Sequence, residues 1–327
     1  MKKLLIITTG GTIAMRRDAS TRIISPAKSG VELVNAVPEI RRFARIELVE
    51  FSNIDSTEMT PSMMFELAQL VKKHGQRADI EGIIITHGTD TLEETAYMID
   101  LLVDTPKSVV LTAAMRSFDE PGTDAPTNLL AAVKTACAEA ASGVGVLVVL
   151  NDEIHAAREV RKTYTSNVAT FESPGYGPLG IVDEDRVIIF RKSLIRENIP
   201  ADHVEPDVEL FEMTAGNNGN LIGYAIDNRV KGIVIEGLGR GNVPSPAAKQ
   251  VLRAIHENIP VVLTSRCFKG RVLGVYGGTG GGRLLHEAGI IYGGDLSGQK
   301  ARIKLMVALG YTCHLSEIKK IFERNMY

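Results

Sequence analysis

Short runs of apolar residues alternate with segments of helical periodicity along the first half of the chain. The segments Leu92–Val103 and Ala125–Ala141 repeat apolar residues every three or four positions, as a helix with a buried face does. Strands that are apolar on both faces and separated by helices are typical of a parallel sheet covered by helices on both sides. Five apolar runs therefore predict strands, at Lys3–Thr8, Ile46–Phe51, Gly82–Thr86, Ser108–Ala113 and Gly145–Leu150.

The pattern changes after residue 191. Residues 192–212 are rich in charge and proline and have few apolar positions, which indicates a linker. Beyond them, apolar runs at Gly232–Glu236 and Pro260–Thr264 flank a helical segment, and two further helical segments end the chain. The sequence thus predicts an α/β fold: a larger N-terminal domain with a mostly parallel sheet flanked by helices (1–191), a linker, and a smaller C-terminal α/β domain (213–327).

Composition and charge argue against several classes of partner. The chain has 327 residues, of which 44% are hydrophobic and 23% charged, as in a folded globular protein. A formal net charge of −2 gives no basic excess that would favour nucleic acid or anionic lipid. The N-terminal apolar run, Leu4–Ile7, is too short for a signal peptide, and no stretch is long enough to span a membrane. We therefore expect a cytoplasmic protein without nucleic-acid or membrane partners.

The three cysteines, Cys137, Cys267 and Cys313, are widely spaced, and no two of them have the spacing of metal ligands. An odd number of dispersed cysteines indicates reduced thiols rather than disulfides or a zinc site.

Hydroxyl-bearing residues follow most of the predicted N-terminal strands. They lie in the segments TTGGTIA (8–14), SNIDSTEMTP (52–61), THGTDTLEE (86–94) and AAMRS (113–117), and two of these segments also carry carboxylates. Ligands of open α/β sheets bind outside the carboxyl ends of the strands. We therefore expect these segments to converge on one site.

The segment TTGGTIA has several possible interpretations. Gly10 and Gly11 are adjacent and lack the third glycine of a dinucleotide fingerprint, and no lysine stands beside Thr12 as in a phosphate-binding loop. Adjacent glycines permit positive φ angles, which would leave Thr12 on a sharp turn near backbone N–H groups. Taken alone, however, the pattern is more typical of an ordinary turn between a strand and a helix.

The segment THGTDTLEE is in part explained by helix capping, since Thr91 and the glutamates after it suit the first turn of a helix. Capping explains Thr89 and Asp90 less well, and a carboxylate at this point suits a ligand's ammonium group. A lone histidine near a sheet, such as His87, is usually a hydrogen-bonded core residue. The charged run Arg158–Thr163 is by itself typical of a solvated face.

Taken together, these segments resemble the bacterial-type L-asparaginase family over nearly the whole chain. TTGGTIA and ITHGTDTLEETA resemble the two family signatures, and NIDSTEM resembles the segment that contacts substrate. AAMRS, REVRKTYTSNVATFESPGYGPLG and GDLSGQKARIKLMVAL also match in order. Two signatures in order at the right separation are highly specific.

The resemblance implies hydrolysis of L-asparagine to L-aspartate and ammonia through a threonine acyl-enzyme, with weaker action on glutamine and no cofactor or metal. It implies that Thr12 is the nucleophile and that Thr89, Asp90 and Lys162 form a second hydroxyl–acid–base set. A lysine acts as a base only when neutral, which burial favours and a neighbouring aspartate opposes. Asp90 and Lys162 are therefore expected to titrate as a coupled pair.

The resemblance also assigns the substrate contacts. Ser56 and Thr57 are expected to hold the α-carboxylate of the substrate, and Asp90 its α-ammonium. Backbone N–H groups around Gly88 and Thr89 are expected to receive the charge that develops on the attacked carbonyl. Asn242 matches a position that reaches a neighbouring subunit's site, so a homodimer or homotetramer is expected.

Two departures from the family concern the activation of Thr12. Many relatives carry a tyrosine in the loop after the nucleophile, whereas residues 15–30 contain none and Ile23 or Ile24 lies nearest that position. Relatives often carry a glutamate where Gly282 aligns, and Tyr276 or Glu287 is the candidate substitute. The 15–30 loop is expected to act as a mobile lid.

Three other functions compete with the asparaginase prediction. A broader amidohydrolase would favour glutamine or another small amide. A non-catalytic amino-acid sensor on the same fold would bind asparagine or aspartate without turnover, although the set of Thr12, Thr89, Asp90 and Lys162 argues against it. A dinucleotide-binding enzyme is disfavoured by the glycine spacing.

Overall fold

A computed structural model describes residues 1–17, 24–26 and 29–324. The chain divides into two compact units, Met1–Asn198 and Ile199–Tyr327, so the division falls within the segment predicted as a linker. A search of the described residues finds no helix that is both long and apolar enough to cross a bilayer.

The first unit is built on an eight-stranded sheet. Its helices are α1 (Gly30–Asn35), α2 (Pro61–Gly75), α3 (Leu92–Leu102) and α4 (Ala125–Cys137). Its strands are β1 (Lys2–Gly10), β2 (Met15–Arg17), β3 (Ile24–Pro26), β4 (Ala44–Ile54), β5 (Gly82–Thr86), β6 (Ser108–Thr112), β7 (Val146–Leu150), β8 (Glu153–Ala156), β9 (Arg161–Lys162), β10 (Phe171–Glu172), β11 (Gly180–Asp183) and β12 (Arg186–Ile189).

The large sheet has the strand order β12-β11-β8-β7-β6-β5-β1-β4. Strands β4, β1, β5, β6 and β7 are mutually parallel, and the other three extend the sheet in antiparallel fashion. The five parallel strands are the five apolar runs of the sequence, so the predicted fold class is confirmed. Side chains on both faces of β1 and β5 are buried, as continuous apolar strands require.

Strand register brings the first three hydroxyl-bearing segments together. Strand β1 lies between β4 and β5, and Thr8 pairs with Glu50 on one side and with Thr86 on the other. The segments that follow these three parallel strands therefore leave the sheet at one edge, next to one another.

The second unit holds a smaller parallel sheet in the order β13-β14-β15-β16. Its strands are β13 (Val208–Glu212), β14 (Gly232–Gly237), β15 (Val261–Ser265) and β16 (Ile291–Tyr292). Its helices are α5 (Asn220–Asp227), α6 (Ser245–His256), α7 (Gly282–Ala288), α8 (Gly298–Tyr311) and α9 (Leu315–Glu323).

Strand β13 corrects one detail of the sequence prediction, because it occupies the last five residues of the predicted linker. It is an edge strand in which Val208 is buried while Glu209 and Glu212 are exposed. An edge strand tolerates charged side chains because one side and one face remain in water. The charge that indicated a linker is thus compatible with a strand.

Candidate active site

Three loops meet backbone to backbone at the carboxyl edge of the large sheet. Gly10 and Gly11 have φ angles of +103° and +79°, which side chains rarely adopt. A Cβ atom added to Gly11 would lie 2.3 Å from the Cα atom of Gly88, and one added to Gly88 would lie 2.6 Å from Oγ of Ser56. The glycines of TTGGTIA therefore permit a close chain crossing, and Thr12 begins a short 3₁₀ turn directly beside it.

Gly11→Ala is expected to destabilise the protein by more than about 2 kcal/mol, because it adds a backbone clash to the strain of a positive φ angle. Gly143→Ala is the matched control, since Gly143 also has a positive φ of +69° but a Cβ there would meet no atom within 4 Å. That variant should lose only about 1 kcal/mol. Urea unfolding measures both, and equal losses would contradict the close crossing.

The loop after β4 is fastened to the loop after β5 by Ser56. Ser56 is a buried residue, and its hydroxyl oxygen accepts a hydrogen bond from the Asp90 amide at 3.2 Å. The Ser56 carbonyl accepts one from the Thr91 hydroxyl at 2.7 Å. Thr91 precedes α3 but makes no side-chain capping bond, so the capping explanation of its hydroxyl is wrong. Thr57, the next residue, is exposed.

Lys162 brings a basic side chain to the Thr89–Asp90 pair from far along the chain. Its Nζ atom donates hydrogen bonds to Oγ1 of Thr89 at 3.0 Å and to Oδ1 of Asp90 at 2.6 Å. The Lys162 side chain is 17% exposed, whereas that of Asp90 is 54% exposed. The structure thus brings one hydroxyl and one carboxylate within hydrogen-bond distance of the same lysine Nζ atom.

The segment that carries Lys162 is held by buried polar contacts, so the solvated-face interpretation of the charged run is wrong. Glu159 is 8% exposed and forms an ion pair with Arg191, 2.7 Å between Oε2 and Nη2. Strands β9 and β10 pair as a two-stranded hairpin, and Ser173, just after β10, is hydrogen-bonded to Nδ1 of the buried His155 at 3.0 Å. These contacts fix the backbone on both sides of the lysine.

His87 is a fully buried histidine whose two ring nitrogens both have partners. Nδ1 lies 2.8 Å from the Gly88 carbonyl oxygen, and Nε2 lies 3.0 Å from Oγ1 of Thr95. Burial lowers the pKa of His87 to about 4, so the ring is neutral at pH 7. The expected hydrogen-bonded core histidine is confirmed.

The His87 pKa predicts a loss of stability in mild acid. An unfolded-state histidine titrates near pH 6.5, and the folded-state pKa is about 4, so the unfolded chain binds more protons between these values. Lowering the pH from 7 to 4.5 should therefore cost about 2–3 kcal/mol through this group alone. The free energy of unfolding of His87→Asn should fall less over this range, and parallel pH profiles of the two proteins would contradict the assignment.

The remaining predicted residues belong to the second unit. Asn242 belongs to the second unit, where its amide donates to the Leu238 carbonyl at 2.9 Å and closes a turn after β14. Gly282 begins α7, Tyr276 is exposed, and Glu287 forms an ion pair with Arg283 at 3.0 Å.

The predicted lid is described only in part. The backbones of β2 and β3 form an antiparallel hairpin within residues 15–30, whereas Ile23 and the other residues of 18–23 and 27–28 lie outside the described part of the chain. Within the described residues, no group of three or more histidine, cysteine or acidic side chains is arranged to hold a metal ion.

Hydroxyls, a lysine and a carboxylate converge at the carboxyl edge of a parallel sheet, which is where enzymes of the α/β class bind their substrates. Residues 3–195 match the family "Asparaginase, N-terminal", and residues 207–322 match "Glutaminase/Asparaginase C-terminal domain". The chain therefore belongs to the asparaginase family, and the resemblance noted in the sequence is confirmed.

Individual relatives agree with this family. An L-asparaginase of Bacillus licheniformis is 37% identical over 94% of this chain and 95% of its own length. A glutamyl-tRNA(Gln) amidotransferase subunit of Pyrococcus furiosus is also 37% identical, over 98% of this chain and 75% of its own. The crystal structure of a probable cytoplasmic L-asparaginase from Campylobacter jejuni superposes with a TM-score of 0.90 at 32% identity, covering 98% of this chain and 99% of the other.

Proposed function

We propose that the chain hydrolyses the side-chain amide of L-asparagine to L-aspartate and ammonia, with weaker action on glutamine. The observation that carries this proposal is the cluster in which Nζ of Lys162 lies 3.0 Å from the Thr89 hydroxyl and 2.6 Å from the Asp90 carboxylate. The close approach of Gly11, which precedes Thr12, to Gly88, which precedes Thr89, supports the same proposal. The family and the names of the relatives support an amide substrate.

In the proposed reaction the Thr12 hydroxyl oxygen attacks the amide carbon while its proton passes toward Lys162, directly or through the Thr89 hydroxyl. The carbon–nitrogen bond then breaks, the nitrogen takes up a proton and ammonia leaves. Water attacks the ester that remains on Thr12 and releases aspartate. The Thr89 amide would donate a hydrogen bond to the carbonyl oxygen as negative charge develops on it.

The exposed carboxylate of Asp90 gives the substrate's charged groups a place to bind. Asp90 faces solvent enough to receive the substrate's α-ammonium, while Ser56 and Thr57 would receive its α-carboxylate. An ammonium bound at Asp90 would share that carboxylate with Lys162.

The preference for asparagine or glutamine as substrate depends on how the site fits the length of the substrate side chain. One methylene is worth only about 1–3 kcal/mol of discrimination in a binding pocket. The similarity to a glutamyl-tRNA(Gln) amidotransferase keeps a glutamine-preferring amidohydrolase as the second candidate.

Ammonia release by the purified wild-type chain from L-asparagine and from L-glutamine tests this proposal. We expect turnover of both, with the larger kcat/KM for asparagine. A larger kcat/KM for glutamine would favour the second candidate. Thermal stabilisation by asparagine or aspartate without ammonia from either amide would support the amino-acid sensor and contradict the proposal.

The proposal also includes assembly, location and domain arrangement. We infer a homodimer or homotetramer in which Asn242 of one subunit contributes to a neighbouring subunit's site, in the cytoplasm, with a larger N-terminal and a smaller C-terminal domain. Light scattering measures the oligomeric state, and a fully active monomer would contradict the assignment of Asn242.

A further inference from the structure

We propose that His87 is a positioning residue that sets the orientation of the Gly88–Thr89 peptide, so that the Thr89 N–H serves as the oxyanion donor. This inference rests on the proposed function and extends it to a residue that is buried behind the reacting groups.

The hydrogen-bond partners of His87 define which ring nitrogen carries the hydrogen. A carbonyl oxygen can only accept, so Nδ1 must donate to the Gly88 carbonyl 2.8 Å away. In a neutral ring Nε2 is then the acceptor, and the Thr95 hydroxyl, 3.0 Å away, donates to it. The two contacts together make Nδ1 the donor and Nε2 the acceptor of the His87 ring.

The hydrogen bond from Nδ1 of His87 to the Gly88 carbonyl also fixes the direction of the Thr89 N–H group. In a trans peptide the carbonyl and the N–H point in opposite directions. Since the Gly88 carbonyl points at the buried imidazole, the Thr89 N–H points away from it. Within the described part of the chain, the Thr89 amide makes no hydrogen bond, although Thr89 is only 7% exposed.

An N–H group that has no partner within the protein is free to donate to an atom of a bound ligand. The surroundings suit an oxyanion, since the hydroxyl of Thr89 itself meets Lys162 and the neighbouring Gly88 contacts Gly11, one residue before Thr12. Stabilisation of an oxyanion depends on donors that are fixed before the charge develops.

Because residue 88 is a glycine, a contact from another residue is needed to fix the orientation of the Gly88–Thr89 peptide. A side chain is excluded there because a Cβ atom would lie 2.6 Å from Oγ of Ser56. Glycine, however, does little to restrict the rotation of its own peptide. The imidazole of His87 supplies the restriction that the glycine lacks.

Two substitutions separate this role from simple core packing. The amide nitrogen of asparagine occupies the position of Nδ1, so His87→Asn can still donate to the Gly88 carbonyl. The amide of glutamine lies one bond further out, near the position of Nε2, so His87→Gln loses that donor. Thr95→Val removes the partner of Nε2 and keeps the Nδ1 donor in place.

Steady-state kinetics on L-asparagine, with urea unfolding to confirm that each variant is folded, tests the inference. We expect His87→Gln to lower kcat about 100-fold with little change in KM, as for a misplaced transition-state contact. His87→Asn and Thr95→Val should stay within about tenfold of the wild-type kcat. Equal kcat values for the Asn and Gln variants, or a loss confined to KM, would overturn the inference.

A crystal structure of the Gln variant provides a readout that does not depend on activity. We expect the Gly88–Thr89 peptide to be rotated in His87→Gln and retained in His87→Asn. An unrotated peptide in the Gln variant would overturn the inference even if the wild-type chain hydrolysed asparagine. An inactive wild-type chain would instead contradict the proposed function, and the peptide orientation would still test the role of His87.

Discussion

Replacing Thr12 with alanine is expected to lower kcat/KM for L-asparagine by at least about 10⁴-fold, because it removes the oxygen that forms the acyl-enzyme. The residual rate would come from the oxyanion donor and from substrate binding alone. Thr12 begins a short 3₁₀ turn directly after Gly11, whose backbone lies against that of Gly88. Alanine at position 12 is expected to leave this backbone unchanged. Ammonia release measures the effect.

Thr12→Ser is the matched control because it keeps the hydroxyl and removes only a methyl group. We expect it to retain much more activity than Thr12→Ala, with both variants unfolding near the wild-type urea midpoint. Activity of Thr12→Ala within tenfold of the wild type would mean that another group attacks the amide.

Replacing Lys162 with arginine is expected to lower kcat about 10²–10⁴-fold, nearly as much as replacing it with methionine. Arginine preserves a positive charge beside Asp90 but does not give up its proton near neutral pH. The side chain of a lysine or an arginine must lose its own proton before it can accept another, so arginine cannot replace lysine in this role. Initial rates of ammonia release across the pH range compare the two variants with the wild type.

The pair of Lys162 variants distinguishes two roles for the side chain. Low activity in both supports proton transfer through the Lys162 Nζ atom, which lies 3.0 Å from the Thr89 hydroxyl. Near wild-type activity in Lys162→Arg, with loss only in Lys162→Met, would show that the side chain acts as a fixed positive charge.

Much of the fold is readable from the sequence because the parallel strands are apolar on both faces. The five apolar runs became β1, β4, β5, β6 and β7, and loops that follow parallel strands must meet at one edge. That rule was sufficient to predict that Ser56 and Thr89 lie at the same edge of the sheet. The hydrogen bonds of Ser56 with Asp90 and Thr91 were not part of that prediction.

Features that depend on long-range contacts were not readable in the same way. The charged run 158–163 gives no sign that Glu159 meets Arg191 in the interior, so its local pattern indicated a solvated face. Strand β13 has charges typical of a linker, and its pairing with β14 comes from the sheet rather than from its own sequence. The contacts of His87 with Gly88 and Thr95 likewise require the folded chain.

The family resemblance supplied what local patterns alone did not. It assigned Lys162 to the site before any contact was known, and the structure places its Nζ atom 3.0 Å from the Thr89 hydroxyl. It also assigned Thr12, Ser56, Thr57 and Asn242, whose roles stay predictions. Residues 15–30 contain no tyrosine, and the role of base proposed for Lys162 stays a prediction as well.

The most direct test of the central claim is to locate the acyl group during turnover. The wild-type chain is mixed with excess L-asparagine, quenched in acid within its first turnovers, digested and analysed by mass spectrometry. We expect an added aspartyl group on Thr12, and none at that position in Thr12→Ala. An aspartyl group on a different residue, together with continued ammonia release by Thr12→Ala, would contradict the central claim.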